Sequence, residues 1–252
     1  MVRDDLRSWL RVRSQIAWHE ASEELVGPIR GVRDALDVVA GARDGHGDTT
    51  RGDRMRAAWR LAQKDAAANR PLGFGLLAEW QKLVLGRPDV AFRALPAFAK
   101  GGRERYGVCE ETPEQFEECL SQATATVTDV PLPARAARAY LDVCFFHPFD
   151  DGNGRAALLT MGFVLAREKV FLDEVGPIRV PRYADDPVGA LSLARLIHIL
   201  TSAAARRGEV LARPDSEGGA GAPMPARFTA ALPELAVQGM DGNDCCALDD
   251  GE

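Results

Sequence analysis

The chain reads as an all-α protein. Three observations lead there. Apolar residues recur at i, i+3, i+4 spacing through most of its length. Prolines and glycines fall mainly between those stretches. A hydrophobic content of 46% over 252 residues is enough for one large core.

Taken in order, Asp4 or Asp5 caps a first helix to about Val26, with Leu6, Trp9, Leu10, Ile16 and Ala17 on its apolar face. Pro28 interrupts it. A second helix, Ile29 to Ala40, runs into the glycine- and aspartate-rich loop Gly41 to Asp48, which carries His46. Thr50 or Asp53 starts a third helix to Ala68, Pro71 breaks it, and Phe74 to Leu85 forms a fourth, with Trp59 and Trp80 as core residues. Residues 87–109 lose the helical period. Phe92 and Phe98 flank Pro96 there, and Gly101-Gly102 precedes the apolar run Tyr106 to Cys109, so the segment is a hairpin or else an ordinary connection. Thr112-Pro-Glu-Gln115 combines an N-cap, a first-turn proline and a capping-box glutamine, and opens a helix to about Val127.

Pro131 and Pro133 reset the chain for two apolar helices, Pro133 to Phe146 and Asn153 to Lys169, the second apolar at Leu158, Leu159, Phe163 and Val164. Gly176 to Arg182 reads as an extended connector. Asp185-Asp186-Pro187 then caps a helix to about Arg207, with His198 among its apolar residues. From Pro214 glycine, proline, alanine and acids predominate around a weak island, Leu232 to Leu235, which predicts a disordered tail or one ordered against a partner. The resulting division is a helical extension and loop at 1–49, a main domain at 50–210 and a tail at 211–252.

Net charge of −6 and a pI near 5.4 argue against direct nucleic-acid binding, which needs a basic stripe. There is no run of about 20 apolar residues and no basic-then-apolar leader, so the expectation is a cytoplasmic protein without a membrane span. Only four of 31 cations are lysine, a bias typical of a GC-rich bacterial genome. Five cysteines without Cys-x-x-Cys pairs disfavour zinc or a disulfide framework. Cys109, Cys119 and Cys144 read as core or boundary residues, and Cys245-Cys246 sits in the tail.

The chemistry concentrates in His147-Pro-Phe-Asp-Asp-Gly-Asn-Gly-Arg155, a loop between the two apolar helices. Gly152 and Gly154 let backbone N–H groups converge, and the helix that follows adds unpaired N–H groups and the positive end of its dipole. An anion is the natural occupant. Asp151 is a hard oxygen ligand suited to Mg²⁺ on a di- or triphosphate. Arg155 can grip phosphate oxygens through its fork. His147, with a pKa ordinarily near neutrality, can take a proton from an incoming hydroxyl. Phe149 reads as a buried anchor.

Together His147, Phe149, Asp151, Gly152, Asn153, Gly154 and Arg155 resemble the signature of the Fic family, His-x-Phe-x-(Asp/Glu)-Gly-Asn-Gly-Arg-x-x-Arg. The resemblance implies a Fic-like helical bundle with a short β-hairpin flap before the catalytic helix-loop-helix. It also implies an enzyme that transfers AMP, or another nucleoside monophosphate, from ATP or another nucleotide to a protein hydroxyl of Ser, Thr or Tyr. By that likeness His147 is the general base, Asp151 holds Mg²⁺, and Gly152, Asn153, Gly154 and Arg155 cradle phosphate. Tyr183 either lines a base pocket or packs. The flap would align an extended target segment by strand pairing.

One position departs: the final arginine of the signature is Leu158 here. In the family that arginine holds the terminal phosphate of ATP and pairs with an inhibitory glutamate. Arg103, Arg105, Arg179 or Arg182 either replaces it in space or is surface charge. No serine or threonine has a glutamate four residues later, so the family's inhibitory helix motif is absent from this sequence. Glu20, Glu23 and Glu24 are exposed helix charge or nonstandard substitutes. Three other readings stand beside AMP transfer. One is a phosphotransferase with a reversed nucleotide. Another is a transferase acting on a small molecule or biosynthetic peptide. The third is a nonenzymatic nucleotide- or protein-binding scaffold. An antitoxin-like or regulatory partner belongs with the resemblance too.

Overall fold

The computed structural model describes residues 3–36, 49–126 and 128–212. The loop with His46, Val127 and everything after Ala212 lie outside them, including the Leu232 island and the Cys245-Cys246 pair. Among the described residues seven α-helices carry the fold: α1 (Asp5–Gln15), α2 (Thr49–Ala67), α3 (Phe74–Leu85), α4 (Thr112–Ala123), α5 (Leu132–Phe146), α6 (Asn153–Arg167) and α7 (Pro187–Ala212). Two short strand pairs join them. β2 (Ala97–Ala99) and β3 (Glu104–Tyr106) form the predicted antiparallel hairpin, with Phe98 opposite Arg105, while β1 (Ile29–Arg30) pairs in parallel with β4 (Val170–Phe171).

At the centre lies the α5–α6 pair. Every α6 residue from Asn153 to Ala166 is buried, as is all of α5 apart from Arg135. Such helices are hydrophobic on all sides because neighbours cover every face. Helices α2 and α3 pack on α6, and α4 and α7 pack on α5. Small residues set the spacing: a Cβ on Gly162 would stand 2.5 Å from Leu36 and 2.7 Å from the Trp59 ring. The aromatic chain Phe149–Phe74–Phe92–Phe116–Phe146, with successive centroids 5.0 to 5.9 Å apart, runs from the motif loop back to the end of α5. Helix α1 docks through Asp142, which is fully buried and accepts from Trp9 Nε1 at 2.9 Å and from the Arg13 fork at 2.7 and 3.0 Å.

Several boundaries differ from the sequence reading, each for a visible reason. Helix α1 stops at Gln15, not near Val26, because Ile16 turns extended and the buried Trp18 donates Nε1 to Arg13 O at the helix end. Ile29 and Arg30 are not helical; they pair with the strand after α6, and a helical turn starts only at Ala35, where Asp34 accepts from the Leu36 N–H. Helix α4 ends at Ala123. The Thr112 hydroxyl accepts from the Cys109 N–H, binding the preceding turn instead of capping its own helix. Gly176–Arg179 is a 3₁₀ turn, not extended chain, and α7 continues past Arg207 to Ala212. Among the described residues α7 alone is long and apolar enough to cross a membrane by length and composition; its Leu193, Ala194, Ile197 and Ala204 are buried in the core.

Candidate active site

His147 ends α5 in the left-handed region, φ 49°, with its N–H on Val143 O at 3.0 Å. A non-glycine residue holds that conformation only where its surroundings over-determine it. Here Arg93 does so. Its buried guanidinium donates to His147 O (2.9 Å), Phe146 O (3.1 Å), Leu95 O (2.6 Å) and Gly107 O (2.6 Å), and its own N–H donates to Pro148 O (2.9 Å). One side chain thus ties both ends of the flap hairpin to the histidine. Burial lowers the pKa of this arginine from its ordinary value.

The imidazole of His147 stacks on the fully buried Tyr106 ring, centroids 5.6 Å apart and planes 30° from parallel. Its Nδ1 lies 3.4 Å from Cys144 O. Burial pushes its pKa down to about 4, and the Arg93 and Lys100 cations push the same way against the Cys144 carbonyl and Asp151. At neutral pH the ring is therefore uncharged and able to accept a proton.

Four residues on, the Asp151 carbonyl is held by Gln81 Nε2 at 2.7 Å, and its half-exposed carboxylate lies 3.5 Å from the Arg155 guanidinium. Gly152 caps α6 at φ 75°, where a Cβ would stand 2.5 Å from Gln81 Nε2 and 3.1 Å from Arg155. Gly152→Ala is accordingly expected to cost about 1–2 kcal/mol of stability, measured by urea unfolding. Gly154 and Arg155 form the first turn of α6, so their N–H groups are among those a helix start leaves without intrahelical partners. Arg155 is 6% exposed and donates to Val84 O at 3.4 Å, a position that fixes its guanidinium beside Asp151.

The Asn153 side chain is bound on both atoms to the Phe149 backbone, Oδ1 accepting at 3.0 Å and Nδ2 donating at 2.8 Å. The side chain shapes the loop. Tyr183 is 40% exposed, with the Lys100 ammonium 4.6 Å over its ring. Leu158 is core, 1% exposed. Of the candidate replacement arginines, Arg182 is buried and spends its guanidinium on Ile178 O and Val180 O, while Arg103 is exposed and donates to Lys100 O. Glu24 accepts from the Leu132 N–H at the far end of α5, about 20 Å from His147 at 1.5 Å of rise per residue. It is no inhibitory substitute. Glu20 pairs with His19 at 3.4 Å and Glu23 is exposed.

Gln81, Arg93, Lys100, Glu104 and Tyr106 escaped the sequence reading. Their partners are backbone groups, residues of other elements or close neighbours within the hairpin, and none of these leaves a periodic trace in the chain. Among the described residues no group of three His, Cys, Asp or Glu side chains could enclose a metal. A lone, accessible carboxylate such as Asp151 suits Mg²⁺ that keeps waters and takes its other ligands from phosphate oxygens.

The Fic/DOC family model matches residues 76–165, from α3 through the motif loop to the end of α6. A search of curated proteins finds no match. Among solved structures, a Fic domain containing signaling protein from Bacteroides thetaiotaomicron is 18% identical, with a TM-score of 0.47 over 86% of this chain and 89% of its own. The seven signature residues fall inside the matched segment, so residues 76–165 are similar to the Fic/DOC family over the stretch that carries the motif loop.

Proposed function

We propose that the chain is a Fic-type nucleotidyltransferase that moves AMP from ATP to a Ser, Thr or Tyr hydroxyl of a protein. One observation carries the reading: a neutral imidazole is locked at the end of α5, and a single loop separates it from a helix start bearing an accessible carboxylate beside a buried guanidinium. That arrangement combines a proton acceptor with an anion site.

The nucleotide phosphates would lie at the α6 N-terminus, against the N–H groups of the first turn and Arg155. Asp151 is the residue that would hold Mg²⁺, which when bound neutralises charge on the phosphate oxygens. In the tautomer that carries its proton on Nδ1, toward Cys144 O, the lone pair of His147 is on Nε2. The target hydroxyl gives its proton to Nε2 while its oxygen bonds to the α-phosphorus. The bond from that phosphorus to pyrophosphate breaks, and pyrophosphate leaves with the electron pair. Catalysis here is positioning and charge stabilisation.

The flap fits an extended protein acceptor. The N–H groups of Arg105 on β3 and of Gly107 just after it already bind Asp5 and Asp4. β2, where Phe98 is 63% exposed, offers the other edge for an added strand.

The deciding test incubates the protein with a bacterial lysate and ATP labelled at the α- or the γ-phosphate, followed by mass spectrometry. AMP on a protein hydroxyl is the expected product. Transfer of the γ-label alone would make the chain a phosphotransferase, a labelled peptide or metabolite would change the acceptor class, and no transfer would leave a binding scaffold. The metal role has its own check. Asp151→Asn keeps the size of a half-exposed side chain, so the melting temperature should barely move while the Mg²⁺-dependent part of nucleotide binding disappears from calorimetric titrations. Unchanged Mg²⁺ dependence in that variant would remove Asp151 as the ligand.

A further inference from the structure

We infer that Lys100, Glu104 and Tyr106 form a buried positioning unit for His147, which makes the flap hairpin part of the machinery that aims the base. The inference rests on the proposed role of His147. All three side chains are essentially excluded from solvent, with exposures of 1%, 1% and 0%. An ammonium, a carboxylate and a phenol so deeply placed are costly unless fully partnered. Here each is partnered by the others. Glu104 Oε2 accepts from both Lys100 Nζ and the Tyr106 hydroxyl, and Glu104 Oε1 accepts from the Ala184 N–H at 2.8 Å. Lys100 also donates to Arg182 O and lies 5.0 Å over the Phe145 ring.

The geometry has a direction. The Lys100–Glu104 pair bolts the hairpin to the 182–184 segment, and the Tyr106 hydroxyl is anchored to that pair. The Tyr106 ring is then held as the wall on which His147 stacks. Phe145, two residues before the histidine, touches the same unit from α5: its ring lies 6.1 Å from that of Tyr106. Arg93 fixes the histidine backbone from the other end of the hairpin. A purely structural ion pair could sit anywhere in the core; this one ends on the ring that takes the proton. The charged and titratable groups around that ring are Arg93, Lys100, Glu104 and Tyr106 from the flap region, and Asp151 from its own loop. None of the three residues would contact the nucleotide or the hydroxyl, so their role is positioning.

The test reads His147 directly. In metal-free protein, side-chain ¹H–¹⁵N spectra of the imidazoles are followed against pH, with His147→Gln assigning the signal. Lys100→Met removes a cation near the ring and leaves the Glu104 charge unopposed, so the His147 midpoint should rise by at least about half a pH unit. If Lys100→Met fails to fold, Tyr106→Phe serves: it keeps the stacked ring and loses only the hydroxyl. It should broaden or move the His147 signals, and lower kcat about ten-fold with nucleotide Kd unchanged. Tyr106→Phe with wild-type imidazole signals and wild-type kcat overturns the proposal. Failure of the underlying reading looks different: wild-type protein would transfer nothing, whereas the imidazole titrations would still separate the variants.

Discussion

His147→Ala is expected to lose turnover by roughly 10²–10⁴-fold while nucleotide affinity stays within several-fold. The two effects separate because the structure separates their sources. The imidazole sits at the end of α5, whereas the proposed anion site comprises the start of α6, Arg155 and Asp151. Burial holds the imidazole well below its usual range, to about 4. The sign follows directly. A histidine whose folded pKa lies below its unfolded value favours the folded state above the unfolded pKa, near 6.5, and that contribution is lost as pH falls toward about 4. The proposed base stays deprotonated through the same window. The acid limb of kcat/KM should therefore lie near pH 4 rather than near 6.5, with a flat profile through neutrality. A limb near 6.5 would mean that the ring is solvated in the working enzyme, and equal loss of binding and rate in His147→Ala would remove it as the base.

The motif loop was legible in the sequence because its chemistry is contiguous: nine residues hold the acceptor, the acid, the glycines and the arginine. Phe149 as anchor, the flap hairpin and the α5–loop–α6 order followed from local signals, namely Gly101-Gly102, Pro133 and the apolar period of each helix. What positions the loop was not legible. Arg93 works entirely through carbonyl oxygens, which every residue owns, and so nothing in the chain announces its five-point junction. Lys100, Glu104 and Tyr106 look like ordinary hairpin residues until the 182–184 segment closes over them. The same blindness to tertiary partners explains Ile29 and Arg30, whose apolar spacing suits a helix but which pair with β4. It also explains Asn153. Its side-chain amide is committed to the Phe149 backbone and holds the loop's shape without a regular element, a role that no local signal announces.

Leu158→Arg is expected to destabilise the protein by about 3–5 kcal/mol, read as a fall in the urea midpoint at unchanged slope. The side chain is 1% exposed on a helix buried from Asn153 to Ala166, so a guanidinium there has neither solvent nor an assigned carboxylate to meet. Leu158→Met, which nearly conserves volume, should cost less than about 1.5 kcal/mol and serves as the control for packing alone. The consequence for function runs through the nucleotide. The family's final signature arginine would add a cation one turn beyond Arg155, and here that place belongs to the core. Under the proposed function, the phosphates would be gripped by the first turn of α6, by Arg155 and by a metal held at Asp151. Wild-type protein should thus distinguish ATP from ADP only weakly in binding, since a lost charge-assisted contact to the terminal phosphate is worth about 1.5–3 kcal/mol. A stable Leu158→Arg protein that gains a strong preference for ATP would show instead that α6 turns this position toward the phosphates.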